Sequence, residues 1–91
     1  MPTIRFTDNI QRHVGCPPLA VSGSSVREAL AAYFATYPRA HGYVLDEQGR
    51  LREHMAIFVN GGQLRDRVGL TDVVEEDGII DVIQALSGGE Q

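Results

Sequence analysis

Polar and apolar residues alternate over Thr3-Ile4-Arg5-Phe6, and the pattern predicts a short strand with Ile4 and Phe6 turned inward. A polar stretch through Asp8-Asn9 and a Gly15-Cys16-Pro17-Pro18 turn separate it from a second short strand, Leu19 to Val21. The proline pair cannot donate to a ladder, so any strand before it stops there. This reads as a hairpin with a loose connection. Beyond the Ser22-Gly23-Ser24 break, Val26, Leu30 and Phe34 recur at helical spacing, with Ala29, Tyr33 and Tyr37 alongside. Ser25 and Glu28 have the spacing of a capping box, with Ser25 accepting from the first turn and Glu28 reaching back to the cap. Pro38 ends this helix by disfavouring the helical conformation at Tyr37.

The stretch from Arg39 to Glu53 is polar, broken by Gly42 and Gly49, with a short helical turn expected near Tyr43 to Leu45. Met55 to Val59 reads as a strong strand. Asn60-Gly61-Gly62 supplies the positive φ of a tight turn, and Gln63 to Arg67 the return. Leu70 to Val74 carries scattered apolar residues and reads as a half-ordered connection. Asp77-Gly78 opens the last strand, Ile79 to Leu86, which runs into Ser87-Gly88-Gly89-Glu90-Gln91. Two hairpins flanking one amphipathic helix are most economically satisfied by an α+β roll, a mixed sheet of four or five strands packed on that helix. First and last strands can then lie side by side at the centre. That arrangement is the β-grasp, or ubiquitin-like, fold, expected over residues 1–86 with a flexible tail at 87–91.

Alternation also sorts the side chains of the sheet. Ile57, Val59, Ile80 and Val82 are expected to face the helix, and Ala56, Phe58, Asp81, Ile83 and Ala85 the open side. The outward assignment follows from Asp81, since an aspartate is rarely buried without a partner. Phe58, Ile83 and Ala85 then form an exposed apolar patch leading towards the tail, with Leu64 at its rim. An aromatic and an isoleucine on adjacent strands suit a partner's hot spot.

Composition narrows the chemistry. The chain of 91 residues is one domain with 43% apolar residues and a formal charge of -4. All 8 basic residues are arginines, with no basic stripe of the kind nucleic-acid binding requires. Without lysine the chain cannot accept an isopeptide bond on a side chain of its own. The single cysteine, Cys16, leaves no internal disulfide and no cysteine cluster for a metal. His13, His41 and His54 are too scattered for a metal site. No apolar run approaches the roughly 20 residues of a membrane span, and the first residues lack a secretory layout. A cytoplasmic setting, with neither membrane nor nucleic acid as partner, is therefore expected.

The glycine pair is the main chemical signal. Without Cβ atoms, Gly88 and Gly89 can thread a slot too narrow for other residues and leave a carbonyl carbon open on both faces. Together with the capped helix, Ile57-Phe58-Val59-Asn60-Gly61 and Glu76-Asp77-Gly78, the Ser87-Gly88-Gly89 ending resembles the ThiS/MoaD family of ubiquitin-like sulfur carriers. The resemblance spans nearly the whole chain, is most specific from His54 onward and is weak from Asn9 to Pro18. It looks nearest to carriers of cysteine or thio-metabolite biosynthesis that need C-terminal trimming.

The resemblance implies a protein co-substrate, not an enzyme. A ubiquitin-activating-type enzyme would adenylate the carboxylate of Gly89, and a sulfur donor would convert it to a thiocarboxylate for a sulfur-accepting biosynthetic enzyme. The flexible tail would be Ser87, Gly88 and Gly89. ATP and any zinc would belong to partner enzymes, with no cofactor bound by this chain. One departure matters: Glu90-Gln91 follows the pair, so Gly89 is held in a peptide bond. Some members of the family resemble this and are trimmed by a deubiquitinase-like zinc metalloprotease, so cleavage of the Gly89–Glu90 bond is expected. Two other functions share these features: a ubiquitin-like modifier joined to protein lysines, and a non-covalent β-grasp interaction module.

Overall fold

The computed structural model describes residues 1–84. In chain order the elements are β1 (Thr3–Phe6), α1 (Asp8–His13), β2 (Leu19–Ala20), α2 (Val26–Thr36), a 3₁₀ turn (Pro38–Ala40) and α3 (His41–Val44). β3 (Met55–Val59), β4 (Gly62–Gln63) and β5 (Ile79–Gln84) follow. The five strands form one sheet in the order β2-β1-β5-β3-β4. β1 and β5 pair in parallel at its centre, with Ile4 opposite Ile80 and Phe6 opposite Val82. The remaining pairings are antiparallel. This is the mixed roll that the order of elements predicts. The last strand is described only to Gln84, so its expected continuation to Leu86 and the 86/87 boundary lie outside the described residues.

One face of the sheet is the core. Ile4, Phe6, Ile57, Ile80 and Val82 are buried against Val26, Leu30, Tyr33 and Phe34 of α2. Each such side chain contributes about 1.5–3 kcal/mol by leaving water. Tyr33 is fully buried, packs against Phe6 at a centroid distance of 5.0 Å, and donates its hydroxyl to the Pro17 carbonyl at 2.7 Å. Burial pushes its phenol well above the ordinary range, so it stays a neutral donor. The Cys16 thiol is buried nearby and also raised by desolvation, which suits a packing role.

The start of α2 is tied down more firmly than the spacing suggests. Ser25 Oγ accepts from the Glu28 N–H at 3.2 Å, as a cap should. The Glu28 carboxylate, however, reaches past Ser25 to the N–H and hydroxyl of Ser24, at 2.9 and 3.0 Å. Ser25 itself forms an antiparallel bridge with Val73. Gly23, at φ 149°, is required here, because a Cβ would sit 2.7 Å from the Ala29 nitrogen.

Three expectations are corrected. Asp8–His13 is helical, not a polar connection. It has one buried residue, Ile10, and so no periodicity to read; Gln11 holds it by donating to the Phe6 carbonyl at 3.0 Å. The return strand covers only Gly62–Gln63, because Leu64 turns inward. The segment from Leu70 to Val74 is not half-ordered. Its Leu70 and Asp72 carbonyls accept from Arg27 and Val26, and Val74 donates to Ser24. The helical turn expected near Tyr43 is found at His41–Val44, and the polar insert beyond it closes on a Leu45–Leu51 bridge.

Candidate functional site

The second face of the sheet carries the candidate docking surface. Register sets two rows of side chains across it. In one, Gln63, Phe58, Asp81 and Arg5 lie side by side across β4, β3, β5 and β1. In the other, Ala56 faces Ile83, with Thr7 just beyond the end of β1. Phe58 and Ile83 are half-buried. Together with Phe6, Pro18 and Thr7 they line a shallow groove of about 470 Å³ that crosses the Arg5–Asp81 pair.

Phe58 and Ile83 therefore sit where alternation places them, diagonal neighbours two residues apart in register on adjacent strands. Leu64 does not. It is 6% exposed, with its N–H bonded to the Ile57 carbonyl at 2.9 Å, and belongs to the core and not to the rim. A short return strand followed by an inward turn reverses the face that simple alternation assigns. Ala85, Ser87, Gly88, Gly89 and Glu90 lie outside the described residues.

Arg5, Thr7 and Pro18 are additions that sequence reading missed. Alternation in Thr3-Ile4-Arg5-Phe6 already puts Arg5 opposite in facing to Ile4. What one strand cannot reveal is that its neighbour is β5, in the register that sets Arg5 against Asp81. Arg5 Nε donates to Oδ1 at 2.7 Å and Nη2 to Oδ2 at 3.0 Å. This hydrogen-bonded carboxylate holds the guanidinium more firmly protonated than usual. The Thr7 hydroxyl oxygen is buried without a hydrogen-bond partner among the described residues.

At the end of β5, Gln84 turns towards α1, where its Oε1 accepts from Asn9 Nδ2 at 2.8 Å. β5 is thus held at Gln84, its last described residue, on one flank by Met55 of β3 and on the other by α1. Among the described residues no group of three His, Cys, Asp or Glu side chains could hold a metal ion, and no helix is long and apolar enough to cross a membrane.

Neither a protein-family model nor a curated protein sequence matches this chain. Solved structures do. Small archaeal modifier protein 1 from Methanosarcina acetivorans superposes with a TM-score of 0.78 at 22% identity, covering 97% of this chain and 95% of that one. The fold is the ubiquitin-like β-grasp.

The Amycolatopsis orientalis BexX/CysO complex provides a β-grasp chain with TM-score 0.81 and 17% identity, covering 94% of this chain and 97% of that chain. Mycobacterium tuberculosis CysO matches at 0.80 and 19%, covering 94% and 100%. This likeness spans nearly the full length of both partners, so the β-grasp here carries no large insertion relative to them.

Proposed function

We propose that this chain is a sulfur carrier protein, a co-substrate whose reactive atom is the carbonyl carbon of Gly89. The single observation that carries the reading is the position of β5. A central strand of a ubiquitin-like sheet, clamped to Gln84, leads directly into Ser87-Gly88-Gly89. Between Gln84 and Gly89 the covalent chain spans at most about 18 Å, however it is arranged. An enzyme acting on Gly89 must therefore approach the end of β5, beside the Phe58 and Ile83 face.

The chemistry runs in three steps, none of which needs a catalytic group from this chain. Hydrolysis of the Gly89–Glu90 amide by a metalloprotease of the deubiquitinase type frees the Gly89 carboxylate and releases whatever follows it. That carboxylate attacks the α-phosphorus of ATP on an activating enzyme; pyrophosphate leaves and an acyl adenylate forms. A sulfide-class donor then attacks the acyl carbon. The new C–S bond replaces the C–O bond to AMP and leaves a thiocarboxylate. That group is ionised at neutral pH and nucleophilic enough to pass its sulfur to an accepting biosynthetic enzyme, for cysteine, a cofactor or a thio-metabolite. ATP and zinc stay with the partners, and a cytoplasmic setting suits both ATP supply and a reduced sulfur.

A second reading is supported by the likeness to a protein named as a small archaeal modifier. The acyl adenylate could instead be transferred to lysine amines of target proteins. The two readings share every step up to the adenylate and diverge at the nucleophile.

Intact mass spectrometry of the chain recovered from its native cells tests the proposal. Loss of Glu90-Gln91 together with replacement of one oxygen by sulfur is the expected result. Trimmed chain found joined to lysines of larger proteins would favour the modifier. A chain left untrimmed with protease and activating enzyme present would overturn both and leave a non-covalent interaction module.

A further inference from the structure

Near the middle of the open face, in a groove lined by Phe58, Ile83 and Pro18, Arg5 and Asp81 meet in direct register across the parallel β1–β5 ladder. Asp81 takes up one long side of the guanidinium, bonding Nε–H at 2.7 Å and Nη2–H at 3.0 Å. A guanidinium has five N–H donors in a rigid plane. Its end-on edge, one N–H from Nη1 and one from Nη2 lying parallel, is left over by this geometry and has no hydrogen-bond partner among the described residues. The Arg5 side chain is 51% exposed and that of Asp81 31%, so the arginine is the more accessible member of the pair. Walls of Phe58, Ile83 and Pro18 rise around it in the same groove.

A protein that covers this face removes water from the free edge. Donors stripped of water and left unpaired are penalised, whereas donors matched by an acceptor in an apolar surround are strengthened. The shape of the edge selects the acceptor: two parallel N–H bonds match the two oxygens of a carboxylate. Asp81 also keeps the guanidinium plane fixed before any partner arrives, so little side-chain freedom is lost on docking.

We propose that Arg5, oriented by Asp81, is the polar specificity determinant of this face, and that the adenylating enzyme covering Phe58 and Ile83 presents an Asp or Glu carboxylate to its free edge. The inference rests on the carrier reading. It requires one acidic side chain at one place, not an acidic surface, which a chain of formal charge -4 would repel. Arg5 is a recognition residue; the chemistry at Gly89 does not use it.

The test uses the chain ending at Gly89 and an adenylating enzyme purified by following chain-dependent ATP–pyrophosphate exchange. The exchanged pair R5D/D81R keeps an ion pair inside the face but moves the donor edge one strand across, about 4.8 Å. Its KM should rise at least tenfold, with kcat unchanged and Tm close to that of the parent. R5K keeps the charge and the bond to Asp81 but loses the fork, and should raise KM severalfold at unchanged Tm. R5K also serves if the exchanged pair fails to fold. A parental KM in the folded variants would overturn the proposal while leaving the carrier reading intact. If the parent chain supports no exchange at all, the carrier reading fails and this proposal falls with it.

Discussion

The side-chain oxygen of Asn60 accepts a hydrogen bond from the Ile79 N–H at 2.8 Å, and the Asn60 N–H donates to the Ile79 carbonyl at 2.8 Å. This reciprocal pair joins the tip of the β3–β4 hairpin to the first residue of β5. It sets the register that places Phe58 against Asp81 and Ala56 against Ile83. Asn60 and Gly61 have φ of 50° and 85°, the two positive values of a type I′ turn. Asn is one of few side chains that tolerate this conformation.

Asn60→Ala loses both the acceptor and the tolerance for positive φ, and should destabilise the protein by about 1–3 kcal/mol in urea unfolding. Asn60→Gly restores the backbone freedom alone. It should recover part of that loss, and a glycine variant as stable as the parent would show that the side-chain bond to Ile79 contributes nothing.

Thr7 occupies the N-cap position of α1, where its side chain makes no capping bond, and its hydroxyl oxygen is buried without a partner among the described residues. An unsatisfied buried hydroxyl is a liability. Thr7→Val should therefore raise stability, by about 1 kcal/mol, contrary to what removing a threonine cap usually does. A lower Tm for the valine variant would mean that the hydroxyl finds a partner.

Asp66 is the centre of the loop between β4 and β5. Its carboxylate accepts from the Thr71 hydroxyl at 2.6 Å and the Gly69 N–H at 2.7 Å, which pull its pKa down to about 2. A depressed carboxyl stabilises the fold fully above its unfolded value near ~3.9 and loses that effect as pH falls through the folded value. Asp66→Asn should melt below the parent at pH 7. The gap should narrow from about pH 4 downward and nearly close by pH 2, as thermal melts across that range would record. A gap constant with pH would assign the whole effect to hydrogen-bond geometry and none to charge.

Phe58 is half-buried on the open face, away from the helix-facing core. Phe58→Ala should leave the melt nearly unchanged yet weaken capture by an activating enzyme by roughly 30-fold, the effect of a ~2 kcal/mol hot spot. Chain-dependent pyrophosphate exchange against chain concentration separates the two, because a docking defect raises KM and spares kcat. Ile57→Ala, in the core one residue away, should instead lower Tm sharply.

The sequence by itself determined the elements whose signals are local and repeated. The i, i+4, i+8 stripe of Val26, Leu30 and Phe34 defines α2, and alternation defines β3 and β5. Asn60-Gly61 defines the hairpin, because only a few residues accept positive φ. From these the roll, the inward and outward faces and the Phe58–Ile83 patch all follow. Tertiary structure decided the rest. α1 exists because Ile10 finds the core and Asn9 finds Gln84, contacts too distant in the chain to leave a periodic trace. Leu64 is buried because the chain turns inward after β4, a choice made by packing and not by alternation. Arg5 and Asp81, 76 positions apart, become one ion pair only once two parallel strands lie in register. Side-chain period is written along a strand, whereas register between strands is set by what the whole core can bury together.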